Sequence, residues 1–346
     1  MTRTRFASIG AVAVAAALLL TGCVAGEGSN IAPEEEVEVL PGSWSADTLK
    51  IDFATYNPLS LIIKDQGWLE TTFGDKVTVE WTQSAGSAAA NDLLKAGSVD
   101  VGSTAGSAAL LARSNGSPIQ VIDIYSQPNW AALLVAAGSD IESVDDLKGK
   151  NIGANAGTDP YFFLLQALEE AGIGLDEVTI TQLAHADGKT ALEAGTIDAW
   201  AGLDPLLSAS VVNAGSKIIY DNADFNSYGF LNATESFLEK SPDIAQVVVS
   251  AYEKARIWAA ENPDEAAQIL ADVAAIDIEI AKSVLLDRTN LEVDGEPGAD
   301  QLAVLKIIGP IFVTSGAVAS QDQIDDALDT LFNTDYVKNA NPDLIG

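Results

Sequence analysis

The sequence predicts an α/β protein built as two similar lobes, each around its own sheet. Three observations carry that expectation. Strand-like and helix-like runs take turns from about Thr48 to Asn232. From Ser236 onward the pattern is helical. The segment Leu-Lys-Ala-Gly-Ser-Val-Asp-Val at 94–101 returns as Leu-Glu-Ala-Gly-Thr-Ile-Asp-Ala at 192–199. Strands alternating with helices imply layers over a parallel or mixed sheet. The echo is a helix end, a stopping glycine and a strand start, spaced too widely for a solenoid repeat. Two lobes account for it, and so does a common helix-to-strand turn used twice.

The first residues have a separate purpose. Arg3 and Arg5 precede an apolar run over 6–20, followed by Leu20-Thr21-Gly22-Cys23. A basic start, a short apolar core and small residues make a secretory signal peptide over 1–22. A membrane span needs about 20 apolar residues with suitable flanks. The ending resembles a lipobox, which makes Cys23, the sole cysteine, the expected lipidation site. One thiol leaves no disulfide, so the fold rests on packing. Residues 23–45, with Glu34-Glu35-Glu36 and no periodic apolar positions, read as a flexible tether behind the anchor.

Fifty acidic residues against 18 basic ones give a formal charge of −32. That excludes nucleic acid as an expected partner, because phosphate binding needs basic patches. It also leaves membrane attachment to the acyl chain rather than to surface charge.

In the first expected lobe, residues 49–53 alternate as a strand, and Tyr56-Asn57-Pro58 breaks it. Leu59, Ile62 and Ile63 suit a helix, and 77–81 a second strand. Ser87 is placed to cap a helix that Gly97 stops. A strand over 99–102 leads into Ser103-Thr104-Ala105-Gly106-Ser107, read as the next helix start, and 119–124 and 132–136 are strands. The order then restarts. Residues 152–154 form a strand, and Gly157-Thr158-Asp159-Pro160 opens a helix to Gly172. A strand over 178–183, a helix over 189–194 and a strand over 197–200 follow. Asp204-Pro205 opens another helix, with strands at 217–220 and 229–232. Helices are expected over 242–262, 263–273, 278–287, 300–315 and 321–331.

Ligands of open α/β sheets bind beyond the carboxyl ends of strands, where helices begin. Three helix starts here are rich in glycine and hydroxyls: Gly86-Ser87, Ser103 to Ser107, and Gly157-Thr158. Helix N-termini offer unpaired N–H groups, so such starts can hold an oxyanion without Arg or Lys. Each is also read as an ordinary N-cap. Tyr56, Trp130 and Trp200 near strand ends suit aromatic walls, with core packing as the other reading. Asp204 suits a ligand amine or an N-cap. Asp159 suits a cap or a cationic part of the ligand. The single histidine, His185, reads as a solvated or capping residue, and no catalytic, dinucleotide or metal motif is recognisable.

From about 51 to 212 the chain resembles the solute-binding proteins of ABC importers, in the branch for aliphatic sulfonates, taurine and nitrate. The resemblance rests on 96–104 (Ala-Gly-Ser-Val-Asp-Val-Gly-Ser-Thr) and 146–153 (Asp-Leu-Lys-Gly-Lys-Asn-Ile-Gly). Gly157-Thr158, 194–200 (Ala-Gly-Thr-Ile-Asp-Ala-Trp) and Asp204-Pro205 complete it. It implies the two-lobe type II periplasmic binding protein fold with a hinged interlobe cleft. Lobe 1 would take 46–133 and 232–346, lobe 2 would take 134–231, and crossings would fall near 132–137 and 229–233. It implies binding without catalysis or cofactor, by a monomer that closes on its ligand and docks on a permease driven by an ATPase. The implied ligand loops match Ser103-Thr104, Gly157-Thr158 and Asp204, with Tyr56, Asn57, Gly86, Ser87, Trp130, Asp159 and Trp200 as further candidates. An aliphatic sulfonate or taurine is the leading ligand, and nitrate or a thiamine-precursor pyrimidine the alternatives. A cofactor-biosynthesis enzyme on the same fold is the reading from another class. Asp159-Pro160-Tyr161 and Leu203 depart from the branch's usual residues.

Overall fold

The computed structural model describes residues 42–346. The expected signal peptide, the expected lipidation site Cys23 and most of the expected tether lie outside the described residues. Residues 44 and 45, at the end of that expected tether, already make packed contacts. Trp44 packs edge-on against Phe73 at 4.9 Å, and the Ser45 amide donates to Asp243.

Two mixed sheets carry the fold. The first half of the chain gives β1 (Thr48–Phe53), helices α1 (Pro58–Gln66) and α2 (Trp68–Phe73), β2 (Thr78–Gln83), α3 (Ser87–Lys95), β3 (Val101–Ala105), α4 (Gly106–Ser114) and β4 (Ile119–Pro128). The middle gives β5 (Ala131–Val135), β6 (Asn151–Ala154), α5 (Asp159–Glu170), β7 (Thr179–Gln182), α6 (His185–Glu193), β8 (Ala199–Leu203), α7 (Leu206–Ala214) and β9 (Lys217–Tyr220). The last part gives β10 (Gly229–Thr234), α8 (Glu235–Lys240), α9 (Pro242–Glu261), α10 (Pro263–Ala274), α11 (Ile278–Lys282), β11 (Thr289–Asn290), α12 (Ala299–Thr314), α13 (Gln321–Thr330) and α14 (Asp335–Lys338).

The six-stranded sheet runs β11-β4-β10-β3-β1-β2, and the five-stranded sheet runs β7-β6-β8-β5-β9. Three parallel strands in each correspond: β2-β1-β3 in one and β7-β6-β8 in the other. Each triplet is flanked by an antiparallel strand that has crossed from the other part of the chain, β10 beside β3 and β5 beside β8. The sheet change falls at 129–130 and over 221–228 rather than at 132–137 and 229–233. The reason is that β4 runs on to Pro128 and β10 already pairs at Gly229.

The sequence echo has a structural cause. Gly97 and Gly195 both take positive φ, at 65° and 69°, to end α3 and α6. Asp100 then accepts from the Lys50 amide at 3.0 Å, and Asp198 accepts from the Asn151 amide at 2.8 Å. Each aspartate thereby locks the register of two parallel strands. The two turns are equivalent parts of equivalent sheets.

A large apolar cluster runs from β1 and α1 through β5 and α5 to α9. A second joins Phe162 and Leu165 of α5 to Phe230 and Phe312, with Phe162 and Phe312 rings 4.4 Å apart. Helix α5 follows the five-stranded sheet but packs on α12, so it ties the two halves together. Among the described residues no helix is long and apolar enough to cross a membrane.

Candidate functional site

The carboxyl ends of β1, β2 and β3 meet those of β6 and β7 at a buried junction between the sheets. Asp52, on β1, is fully buried at its centre. One carboxylate oxygen accepts from the Ser103 amide and hydroxyl, both at 2.9 Å, and the other from the Ser84 hydroxyl at 2.7 Å. Burial pushes the Asp52 carboxyl up to about 6, opposed by those donors. Tyr56 donates to the Ser103 carbonyl at 2.9 Å and meets the Trp130 ring edge-on at 6.1 Å.

Trp130 continues the network into the other half. Its indole N–H donates to Asp159 at 2.7 Å. The same carboxylate accepts from the Ser107 hydroxyl (2.6 Å), the Ser227 hydroxyl (2.6 Å) and the Ser227 amide (2.8 Å). Four donors match the four lone-pair sites of a carboxylate, so Asp159 is saturated. Burial raises its pKa, and the hydroxyls and N–H groups oppose the shift. Asp159 stands at the first turn of α5, Ser107 in the first turn of α4, and Trp130 and Ser227 on the two chain crossings. One carboxylate thus joins both sheets and both crossings.

A second meeting point lies beside the first. Gly86, at the N-cap of α3 with φ 118°, faces the ring of His185, the first residue of α6. A Cβ at Gly86 would stand 3.0 Å from the ring's Cδ2, 3.2 Å from Nε2 and 3.9 Å from the Asn155 amide nitrogen. Thr158, the N-cap of α5, donates its hydroxyl to the Asn155 carbonyl at 2.6 Å. Gly157 takes φ 78° and lies against Leu111 of α4.

The junction therefore gathers Tyr56, Gly86, Ser87, Ser103, Trp130, Gly157, Thr158 and Asp159 from the sequence-derived set. Ser87 is not a cap: its hydroxyl accepts from the Ala105 amide at 2.9 Å. Ser103 and Thr104 do not start a helix. They lie in β3, paired with Leu231 and Phe230 of β10. The Thr104 hydroxyl is held by the Asn232 amide at 2.8 Å and donates to the Ala105 carbonyl.

Three other candidates point elsewhere. Trp200 lies mid-strand in β8, 1% exposed, packed with Leu134, Leu192 and Leu207 and against Gly188 and Gly202. It is a core residue because β8 extends to Leu203. Asn57 caps α1 through Ser60 and donates to the Tyr252 hydroxyl at 3.0 Å. Asp204 accepts from the Ser208 amide and hydroxyl and from Arg288 at 2.6 Å, so its charge is matched from within the chain. His185 is neither solvated nor capping: it is 4% exposed, and neither ring nitrogen has a hydrogen-bond partner.

Sequence reasoning missed Asp52, Ser84, Ser227 and Arg288. Their partners are 51, 32, 68 and 84 residues away, beyond any local signal.

Two mixed sheets of matching strand order, joined by two crossings, define the periplasmic binding protein class. Solved structures of that class overlay on the chain. The alkanesulfonate-binding protein SsuA from Xanthomonas axonopodis pv. citri, bound to MOPS, matches with a TM-score of 0.73 at 21% identity, covering 82% of this chain and 98% of that one. The nitrate-binding protein NrtA from Synechocystis matches with a TM-score of 0.71 at 14% identity, covering 88% and 92%. Residues 64–266 match the family described as NMT1/THI5 like, and the chain belongs to that family. A putative aliphatic sulfonates-binding protein of Bacillus subtilis is 30% identical over 230 residues, 65% of this chain and 69% of the relative. Its counterpart from Escherichia coli is 26% identical over 243 residues, 70% of this chain and 76% of the relative.

Proposed function

We propose that this chain is the extracytoplasmic binding component of an ABC importer, anchored through lipid on Cys23, that captures a small aliphatic sulfonate between its two sheet-bearing halves. The observation that carries this reading is the junction itself: equivalent strand ends of two equivalent sheets meet there, lined by hydroxyls and helix N-termini. Lobe 1 comprises the six-stranded sheet with α9 to α14, and lobe 2 the five-stranded sheet. The crossings at 129–130 and 221–228 act as the hinge. Closure is a population shift, driven by contacts that exist only when the guest bridges both halves. The closed monomer then docks on the permease. No bond is made or broken, and no cofactor takes part.

Within this ligand class the internal pairings favour a plain sulfonate over taurine. The three carboxylates nearest the junction are engaged within the chain, Asp159 by four donors, Asp204 by Arg288 and Asp52 by Ser103 and Ser84. A thermal-shift series tests this with ethanesulfonate, taurine, nitrate and a pyrimidine. Binding to the native state alone stabilises by about 2.7 kcal/mol at roughly 100 times Kd. Ethanesulfonate is expected to raise Tm more than taurine. A shift with the pyrimidine alone, or none with any sulfonate, refutes the ligand assignment.

A further inference from the structure

We propose that His185 is a ligand-contacting residue of this junction, its imidazole donating a hydrogen bond to an oxyanion of the guest between the N-termini of α3 and α6. The inference deepens the binding function proposed above and rests on it.

The first support is an unused side chain. His185 is buried, and neither Nδ1 nor Nε2 has a partner. Leaving a buried polar atom unsatisfied costs about 1–3 kcal/mol, so native interiors rarely keep one without a use. A neutral imidazole always carries one N–H. Burial alone pushes the ring's pKa down to about 4, with no charged neighbour contributing. The ring thus stands as a neutral donor in a place free of carboxylates. Asp159 is turned into its own four donors, and Asp187 in the first turn of α6 is exposed.

The second support is position. His185 follows β7 of one sheet, and its ring faces Gly86, which follows β2 of the other. These two loops are equivalent in the two halves. A side chain at Gly86 would meet the ring edge at 3.0–3.2 Å, so only glycine lets the α3 loop approach the imidazole this closely.

The third is the pair of helix ends. Helices α3 and α6 are nine residues each, and neither N-terminus is capped by a side chain. By contrast α1 is capped by Asn57, and the Ala105, Gly106 and Ser107 amides at the start of α4 are taken by Ser87, Tyr228 and Ser227. Helices α3 and α6 therefore keep uncapped N-termini on either side of His185, as does α5 behind Thr158. The Asn155 side chain adds a donor: its oxygen accepts from Gln182, and its amide nitrogen lies toward Gly86. A sulfonate oxygen placed there meets N–H groups from both halves, with no formal positive charge required.

The test uses the full chain, with ethanesulfonate as the probe. His185 is the only histidine, so its ring resonances are unambiguous in nitrogen-15 spectra. Saturation with ethanesulfonate is expected to shift the imidazole nitrogen signals. His185→Ala is expected to weaken calorimetric binding at least tenfold while leaving the probe-free melting temperature unchanged. His185→Gln, which keeps a donor, is expected to recover part of the affinity. A histidine with a purely structural role gives the reverse pattern: lower melting temperature and wild-type affinity. Wild-type affinity in His185→Ala, or ring signals unmoved at saturation, overturns the inference and leaves the binding function standing. Absence of ethanesulfonate binding to the unaltered chain overturns both.

Discussion

Replacing Asp159 probes the junction most severely. Its carboxylate receives two N–H donors, from Trp130 and Ser227, and two hydroxyls, from Ser107 and Ser227. In Asp159→Ala all four lose their acceptor. The hydroxyls can rotate toward other groups, but the Trp130 indole and the Ser227 amide cannot. Each orphaned, buried N–H costs about 1–3 kcal/mol, so the pair gives about 2–6 kcal/mol. Relief of the buried carboxylate's desolvation offsets part of this, leaving an expected loss of roughly 3 kcal/mol. Asp159→Asn should cost less, about 1–2 kcal/mol. Its amide oxygen can face the two N–H groups while its NH2 faces the two hydroxyls, which turn to accept. Equilibrium urea unfolding of the three proteins measures both numbers. The reasoning is refuted if alanine and asparagine cost the same, or if alanine costs less than about 1 kcal/mol.

The remaining predictions concern single sites. Trp200→Ala should lower stability by about 3–5 kcal/mol, as a large buried side chain does, and its denaturation midpoint should fall before any change in ligand affinity can be read. Arg288→Ala strips a buried Asp204 and the nearby Asp221 of their partner, and unfolding experiments should show a loss of about 3 kcal/mol. Gly86→Ala forces a side chain into φ 118° against His185, so calorimetry should show destabilisation above about 1 kcal/mol. The Asp52 carboxyl is raised from 3.8 unfolded to about 6 folded. The native state therefore holds its proton more tightly, and this group's contribution to stability is full below pH about 4 and lost as pH rises to about 6. Asp52→Asn should remove that downward slope from a stability–pH curve, and an unchanged slope counts against the assignment.

The order of strands and helices was legible because local signals set it. Apolar alternation marks β1, and Gly97 and Gly195 mark the ends of α3 and α6. The echoed aspartates, Asp100 and Asp198, are visible in sequence because each sits at the same place in a repeated turn and accepts from the backbone of the neighbouring parallel strand. The site was less legible. Ser103 and Thr104 read as a helix start because hydroxyls favour caps, yet β10 arrives from 128 residues away to pair with them and keeps them in a strand. Trp200 reads equally as a cleft wall or as core because its strand is expected to stop at 200; β8 runs on to Leu203, and Leu134, Leu192 and Leu207 pack around the ring. Asp159 read as a cap or a ligand contact, whereas its donors come from three separate segments. His185 reads as solvated or capping beside Asp187, whereas the Gly86 loop of the other sheet packs against its ring. Local pattern sets elements, and long-range pairing decides which polar groups remain free.

The most direct test of a guest held between two equivalent halves is a crystal structure of the chain grown with ethanesulfonate. The expected result is a sulfonate group in contact with His185 and with the first turns of α3 and α6, bridging the two sheets. A guest bound to one sheet alone, or on an outer face away from both loops, contradicts it.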